Sequence, residues 1–447
     1  MWTMVAWICA VALSLLSLRF FPLPYLWIFL ACAMAFFVTA SMDGARRALW
    51  FNVACISVGL GVFEYYLWTS GDKGFAARRV YEGNFPERLH APHEQLGWAP
   101  QAGSVVTQRL SFEEELIYDA SYTIGPNGWR ISSATNAHTP SRGCVLFFGD
   151  SFTFGQGLAD DETLPFRVHE KSAQRYRTYN FGVNGYGAHQ MLSALQHGLV
   201  KDTVQCEATQ VTDVFYQAIT DHVRRSAGRS WFERRGPRYV LTPDGGLRPE
   251  GRFEDHDDYA EEMPLMLKLR MQIYKSVTYQ RIVQSTYMRK YSDYVLNLYM
   301  EIVHEARRMA LADYPGAEFH VLLWDEDNAD NRAIRDGLRQ RGITVHLMSD
   351  ILPNYRADDL NEEYRIHARD AHPNARANKL IARYIVGEIL NARRSELDVN
   401  AAAPALRSRW SPTSQRTRRG RGRRPSADPV RGHVHHSVGL SRSLADA

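Results

Sequence analysis

Three stretches of this chain carry side chains that together could run nucleophilic chemistry. Gly149-Asp150-Ser151 offers a hydroxyl, and Asp370-Ala-His372 offers a base and a carboxylate two residues apart. Asn180-Phe-Gly-Val-Asn-Gly-Tyr-Gly187 offers backbone N–H groups in a glycine-rich turn. A serine hydroxyl is a weak nucleophile until a base takes its proton and a third group orients that base. A developing oxyanion also needs donors, which a glycine turn at the end of a strand can aim at it. A fourth stretch, Ala218-Ile-Thr-Asp-His222, closes another strand-like run. Each has a plainer reading beside the chemical one. Gly-Asp-Ser can be a strand-ending turn, and Asp-Ala-His-Pro can be the entry to a helix starting at Pro373-Asn374. The glycine turn must connect a strand to a helix in any case.

The elements that would hold these residues follow from pattern. Cys144 to Phe148 is an uninterrupted apolar run bounded by Gly143 and Gly149, the signature of a strand buried on both faces. In parallel sheets covered by helices, ligands sit beyond the carboxyl ends of the strands, which is where Ser151 falls. Strand patterns at Cys144–Phe148, Arg177–Val183, Thr212–Ile219, Glu318–Trp324 and Ile343–Met348 alternate with helical patterns at Thr163–Ala173, Ala188–Leu199, Asn331–Gly342 and Ala375–Asn391. That alternation predicts a doubly wound α/β sheet over residues 141–392. A helical insertion at about 263–314, rich in Tyr, Met and Leu, separates the third and fourth strands. It reads as packing against the sheet, or else as a cleft wall or partner surface. Residues 70–140 read as an extended lead-in, with strands at Ser104–Leu110 and Glu115–Ile124 and a turn at Gly125–Gly128. Leu96-Gly-Trp98 and Asn127-Gly-Trp-Arg130 are packing aromatics or line the approach to the site.

The first 69 residues are of another kind. Trp2–Leu18 and Phe20–Met42 carry no charge, and Ala48–Trp68 carries only Glu64. A helix crosses the hydrocarbon with roughly 20 apolar residues, so three membrane spans are expected, with Trp2, Trp7, Trp27, Trp50 and Trp68 near their ends. Arg46 and Arg47 favour a cytoplasmic second loop, which sends everything after Trp68 to the extracytoplasmic side; Arg19, Lys73, Arg78 and Arg79 weigh the other way.

The net charge of +4 hides an asymmetry. From Arg393 to Ala447 there are 12 arginines against Glu396, Asp398, Asp428 and Asp446, so this segment carries +8 and residues 1–392 carry −4. Residues 393–447 read as a disordered tail that cannot bury a core. The mildly acidic remainder asks for no nucleic-acid partner. None of the five cysteines forms a C-x-x-C pair or a Cys/His cluster of metal-ligand spacing, so no metal is expected.

Gly149-Asp150-Ser151, Gly185 and Asp370-Ala-His372 stand in the order in which the SGNH (GDSL-type) hydrolases carry their motif blocks, and residues 140–392 resemble that family. The resemblance implies a three-layer α/β/α flavodoxin-like fold and ester hydrolysis or acyl transfer without a cofactor. It makes Ser151 the nucleophile, His372 the general base, Asp370 its orienting acid, and the N–H groups of Ser151 and Gly185 an oxyanion hole. The family's third block supplies an Asn before an Asp, whereas this chain has Thr220-Asp221; Asn184 or His222 is a candidate substitute for the missing donor. Membrane-tethered members act on acyl groups of cell-surface glycans, so an acyl ester on a surface polysaccharide is the implied substrate. Hydrolysis, O-acyl transfer to a polysaccharide, and glycan binding or assembly without turnover are the alternatives. The implied sheet order brings Cys144 near Cys206; two free buried thiols are expected ahead of a disulfide.

Overall fold

The computed structural model describes residues 2–21, 23–69, 79–112, 114–132, 141–230, 232–256, 276–278, 291–355 and 363–391. The expected tail at 393–447 and most of the insertion, including Leu265, Met266, Met271, Tyr274, Tyr279 and Tyr287, lie outside these residues.

Three N-terminal helices, Trp2–Phe20, Pro24–Met42 and Arg47–Thr69, are long and apolar enough to cross a membrane. Pro24 opens the second, where a missing N–H costs nothing. Glu64, the lone acid of the third, is fully buried. Its carboxylate accepts from Ser276 Oγ at 3.1 Å and from the backbone N–H groups of Val277 and Thr278 at 2.6 and 3.0 Å.

Next comes a small β region. Strand β1 (Arg79–Glu82) pairs with β4 (Val105–Phe112), which pairs with β5 (Glu115–Thr123), all antiparallel. A separate ribbon joins β2 (Ala91–His93) to β3 (Gly97–Ala99). Alternate residues of β4 are buried, so Val106, Leu110 and Phe112 form a core with Tyr118, Tyr122 and Phe154.

The central sheet is parallel. It contains β6 (Gly143–Gly149), β7 (Tyr176–Gly182), β8 (Val211–Ala218), β11 (Glu318–Leu323) and β12 (Thr344–Leu347), in the order β12-β11-β8-β6-β7. Read along the chain this is 2-1-3-4-5, the flavodoxin-like order. All seven residues of β6 are buried, because its two faces feed two cores. Cys144, Leu146 and Phe148 face the helices Ala188–Gln196 and Asp293–Asp313, while Val145 and Phe147 face Leu164–Lys171 and Ala375–Tyr384. The result is three layers, α/β/α. Of the aromatic and leucine positions in the insertion, Leu298 and Tyr299 pack in the first of these cores.

Two hairpins were not foreseen: β9 (Pro237–Leu241) with β10 (Leu247–Arg252), and β13 (Arg365–His367) with β14 (Asp370–Pro373). The second carries Asp370 and His372, which sit on a short strand held by antiparallel pairing just ahead of the helix that opens at Ala375. Cys144 and Cys206 are joined by a disulfide, where free thiols were expected. The β6–β8 pairing makes this possible by setting Cys144 opposite Val211. The other three cysteines, in the apolar helices, are free.

Candidate active site

The site forms where β6 ends. Gly149 has φ +154, and a Cβ there would lie 2.2 Å from Thr153 Oγ1 and 3.0 Å from the Gln217 carbonyl. Only glycine lets the chain turn this tightly against β8. Asp150 then caps the short helix Ser151–Phe154, its Oδ1 accepting from the Phe152 N–H at 3.0 Å. Ser151 is thereby set at the first position of a helix, just past the carboxyl edge of the sheet.

On the hairpin opposite, His372 Nε2 lies 2.9 Å from Ser151 Oγ, and His372 Nδ1 lies 2.6 Å from Asp370 Oδ1. The same Oδ1 accepts from the His372 backbone N–H at 2.9 Å, so one carboxylate oxygen fixes both ring and main chain. Burial works to raise the Asp370 carboxyl, but the His372 ring and its N–H override this and hold it below the ordinary carboxylate value. Asp370 therefore stays ionised and acceptor-only, which selects the tautomer carrying its proton on Nδ1. The Nε2 lone pair then faces the hydroxyl.

Gly185 sits in the turn after β7 with φ +83, a conformation that favours glycine, and Trp98 and Phe232 crowd the space a Cβ would take. The other expected donors go elsewhere. Asn184 Nδ2 donates to Gln156 Oε1, its Oδ1 lies 3.3 Å from His90 Nε2, and its carbonyl accepts from Trp98 Nε1 at 3.1 Å. His222 is fully buried: its Nδ1 lies 2.6 Å from the Tyr216 hydroxyl and its Nε2 3.3 Å from Asp150 Oδ2. It stands behind the nucleophile turn, so it is no substitute oxyanion donor. Burial lowers the His222 pKa, keeping the ring neutral at neutral pH. Thr220 Oγ1 accepts from Asn331 Nδ2 at 2.9 Å, which leaves its own hydroxyl proton to be donated.

The lead-in segment, read from sequence as loops and strands, braces the site from both sides. Arg130, 2% exposed, donates from Nη1 to the carbonyls of Phe154 and Gly155 at 2.8 and 2.7 Å. Its Nη2 reaches the Leu158 carbonyl at 2.8 Å, and its Nε reaches Asp160 Oδ1 at 2.9 Å. The Tyr122 hydroxyl accepts from the Gly157 N–H at 2.9 Å. At the other end of β5, Glu115 lies 3.2 Å from His367 and 3.6 Å from Arg369, on the hairpin that carries His372. Trp98 and Trp129 are both buried as packing aromatics. Sequence reasoning missed Arg130's grip on the loop after the serine, as well as Gln156, Asn331 and Arg225. Their signals are single polar residues whose partners lie 24 to 111 positions away.

Away from the site, Asp213, Glu318 and His320 converge at the amino half of the sheet. His320 Nε2 lies 3.2 Å from Asp213 and 3.7 Å from Glu318, and His320 Nδ1 lies 3.1 Å from His346. These side chains form a polar network that spans β8, β11 and β12.

No family model and no curated protein sequence matches this chain. Solved structures resemble it at low identity. An acetyl xylan esterase from the rumen bacterium Butyrivibrio proteoclasticus is 10% identical, with a TM-score of 0.33 over 57% of this chain and 64% of that one. A phospholipase A1 from Streptomyces albidoflavus is 10% identical, with a TM-score of 0.28 over 54% and 98%. A carbohydrate esterase family 2 enzyme from Corynascus thermopiles, carrying a carbohydrate binding domain, is 12% identical, with a TM-score of 0.27 over 63% and 75%. In strand order and in the succession Gly-Asp-Ser, Gly185, Asp-Ala-His, the chain is like the SGNH hydrolases. The reading that follows rests on this chain's own geometry.

Proposed function

We propose that this chain is a membrane-anchored serine esterase of the SGNH type. The observation that carries the reading is the line Ser151 Oγ, His372 Nε2, His372 Nδ1, Asp370 Oδ1, with steps of 2.9 and 2.6 Å across the ring. His372 Nε2 takes the Ser151 proton as Oγ bonds to the acyl carbon. The carbonyl oxygen becomes an oxyanion facing the N–H groups of Ser151 and Gly185. Thr220, oriented by Asn331, donates its hydroxyl proton as the third partner. The imidazolium, stabilised by Asp370, returns the proton to the departing alkoxide. Water, deprotonated by the same nitrogen, then releases the acid from the acyl-enzyme and restores the serine.

Three apolar helices tether the domain to a membrane. The Cys144–Cys206 disulfide supports an extracytoplasmic catalytic domain, because such bonds persist in oxidising compartments. A site held beside the membrane there faces cell-surface polysaccharide, the proposed carrier of the acyl group. O-acyl transfer is the second reading, since a sugar hydroxyl in place of water uses the same residues, and the tether favours it by keeping the acyl-enzyme beside a polymer. A fluorophosphonate probe should label the purified full chain at Ser151, located by mass spectrometry. A folded chain that resists labelling overturns both readings. Product analysis with an added oligosaccharide separates hydrolysis from transfer.

A further inference from the structure

Asp150 does more than cap a helix, and its second oxygen shows it. Oδ1 takes the Phe152 N–H, while Oδ2 points the other way, into a fully buried pocket. There Arg225 Nη1 donates to Oδ2 at 2.8 Å, and the same nitrogen donates to the Tyr186 carbonyl at 2.8 Å. The neutral His222 ring approaches Oδ2 at 3.3 Å from its other side. Tyr186 ends the glycine turn: its N–H bonds to the Val183 carbonyl at 3.1 Å, closing the residues around Gly185. One guanidinium nitrogen therefore ties the turn that presents Ser151 to the turn that presents Gly185. Arg225 is itself held, with Asp221 3.7 Å from Nη2, the Phe232 ring 6.0 Å from its guanidinium carbon and Gly187 against its Cβ.

We propose that Arg225 is a positioning residue for this chemistry, holding the two oxyanion-binding turns in register and neutralising the buried Asp150 charge beside them. The inference rests on the esterase reading and extends it to a residue that never meets substrate. Both parts follow from general physics. Two donors on separate loops stabilise an oxyanion only if their spacing is fixed before the reaction, and misplacement by about 1 Å costs on the order of 100-fold. A carboxylate buried next to the nucleophile opposes a second negative charge forming there, and in a low-dielectric interior that opposition is large unless a cation answers it.

The test uses the full chain in detergent, with fluorophosphonate labelling and p-nitrophenyl acetate turnover. Arg225→Gln should lower kcat about 10- to 100-fold with KM within about threefold. It removes the permanent cation from Asp150 and leaves only the His222 ring beside that carboxylate. Adding Asp150→Asn to Arg225→Gln should therefore recover part of the lost kcat, although Asp150→Asn alone lowers it. A purely structural arginine gives no such recovery. Arg225→Lys keeps the charge without the planar fork and should lose less than Arg225→Gln, about 3- to 10-fold; it carries the test if the glutamine variant does not fold. The inference falls if folded Arg225→Gln or Arg225→Lys turns over at the wild-type rate, or if Asp150→Asn deepens the Arg225→Gln defect. A wild-type chain that resists labelling sinks the esterase reading and this inference together. A labelled wild type with indifferent Arg225 variants sinks the inference alone.

Discussion

At the carboxyl edge of the central sheet, Asp370, His372 and Ser151 stand in line. Across the body of the same sheet, from Asp213 near the start of β8 to His346 near the end of β12, Asp213, His320, His346 and Tyr384 stand in line, with steps of 3.2, 3.1 and 2.9 Å. Both chains begin with a buried aspartate, pass through imidazole and end on a hydroxyl. They differ in where the last hydroxyl sits. Ser151 opens a helix beyond the strand ends, beside a glycine turn with N–H groups to offer. Tyr384 closes the helix Ala375–Tyr384, which packs on the sheet. On the proposed reading, side chains of the same kinds make a reactive site at the carboxyl edge and a structural network within the sheet. What separates them is the backbone around the final oxygen.

The strongest way to break this contrast is at Ser151. Ser151→Ala should abolish ester turnover, a loss on the order of 10^6 in kcat, with little change in the thermal midpoint. Retained turnover would remove the carboxyl-edge line from catalysis altogether. Next is Asp370→Asn, which keeps shape and loses the charge that selects the tautomer. It should cost about 10^4 in kcat. If Asp213→Asn costs as much activity, the two edges are not functionally distinct.

The disulfide belongs to the amino edge, since Cys144 is the second residue of β6. It closes a loop with a sequence separation of 62. By chain entropy, a crosslink of that span stabilises the fold by about 4 kcal/mol. Replacing both cysteines by alanine should lower the thermal midpoint markedly while leaving kcat per folded molecule within about twofold. A loss of kcat with no loss of stability would reverse the assignment of roles to the two edges. Asp213→Asn is expected to be milder, about 1–3 kcal/mol of stability for an incompletely satisfied buried group, again with turnover retained.

The two edges were also unequally legible in the sequence. Ser151, Gly185, Asp370 and His372 could be found because a strand-ending glycine, a turn and a helix entry each leave a local pattern. β6 could be found because burial on both faces demands an uninterrupted apolar run, and the other four strands because mainly apolar stretches alternate with helical patterns. Nothing local marks Asp213 or His320, which sit inside strands as isolated polar residues and make sense only once β8 and β11 pair in register. The same holds for Arg225, whose partner Asp150 is 75 positions away. His222 misled for a related reason: its place after the third strand suggested the site, but its ring turns inward to Tyr216 and Asp150. The cysteine pair was half legible, because strand order brings the two thiols close but sequence alone does not say whether they are oxidised.

The smallest effect expected is on the pH dependence of stability. Burial pushes the His346 ring down to about 4, with His320 and Arg339 acting in the same direction. An unfolded histidine titrates near 6.5. Between about 6.5 and 4 the unfolded chain binds a proton that the folded chain refuses. Stability is therefore whole above that range and declines as pH falls through it, by at most about 1.4 kcal/mol per pH unit for one full proton. Partial solvent access at His346 reduces that figure. His90, His93 and His222 are lowered by burial too, and add slope of the same sign. Asp150 and Asp370 are held below the ordinary carboxylate value, so their contributions persist down to about pH 4 and fail only below it. His346→Gln keeps one donor and one acceptor but cannot titrate. The thermal midpoint of the full chain in detergent, followed from pH 7.5 to 4.5, should fall less steeply for this variant than for wild type, with turnover at pH 7.5 unchanged. Superimposable midpoint curves would mean that His346 titrates normally and the network is open to solvent. Lost turnover at pH 7.5 would mean that the His320–His346 network reaches the chemistry after all.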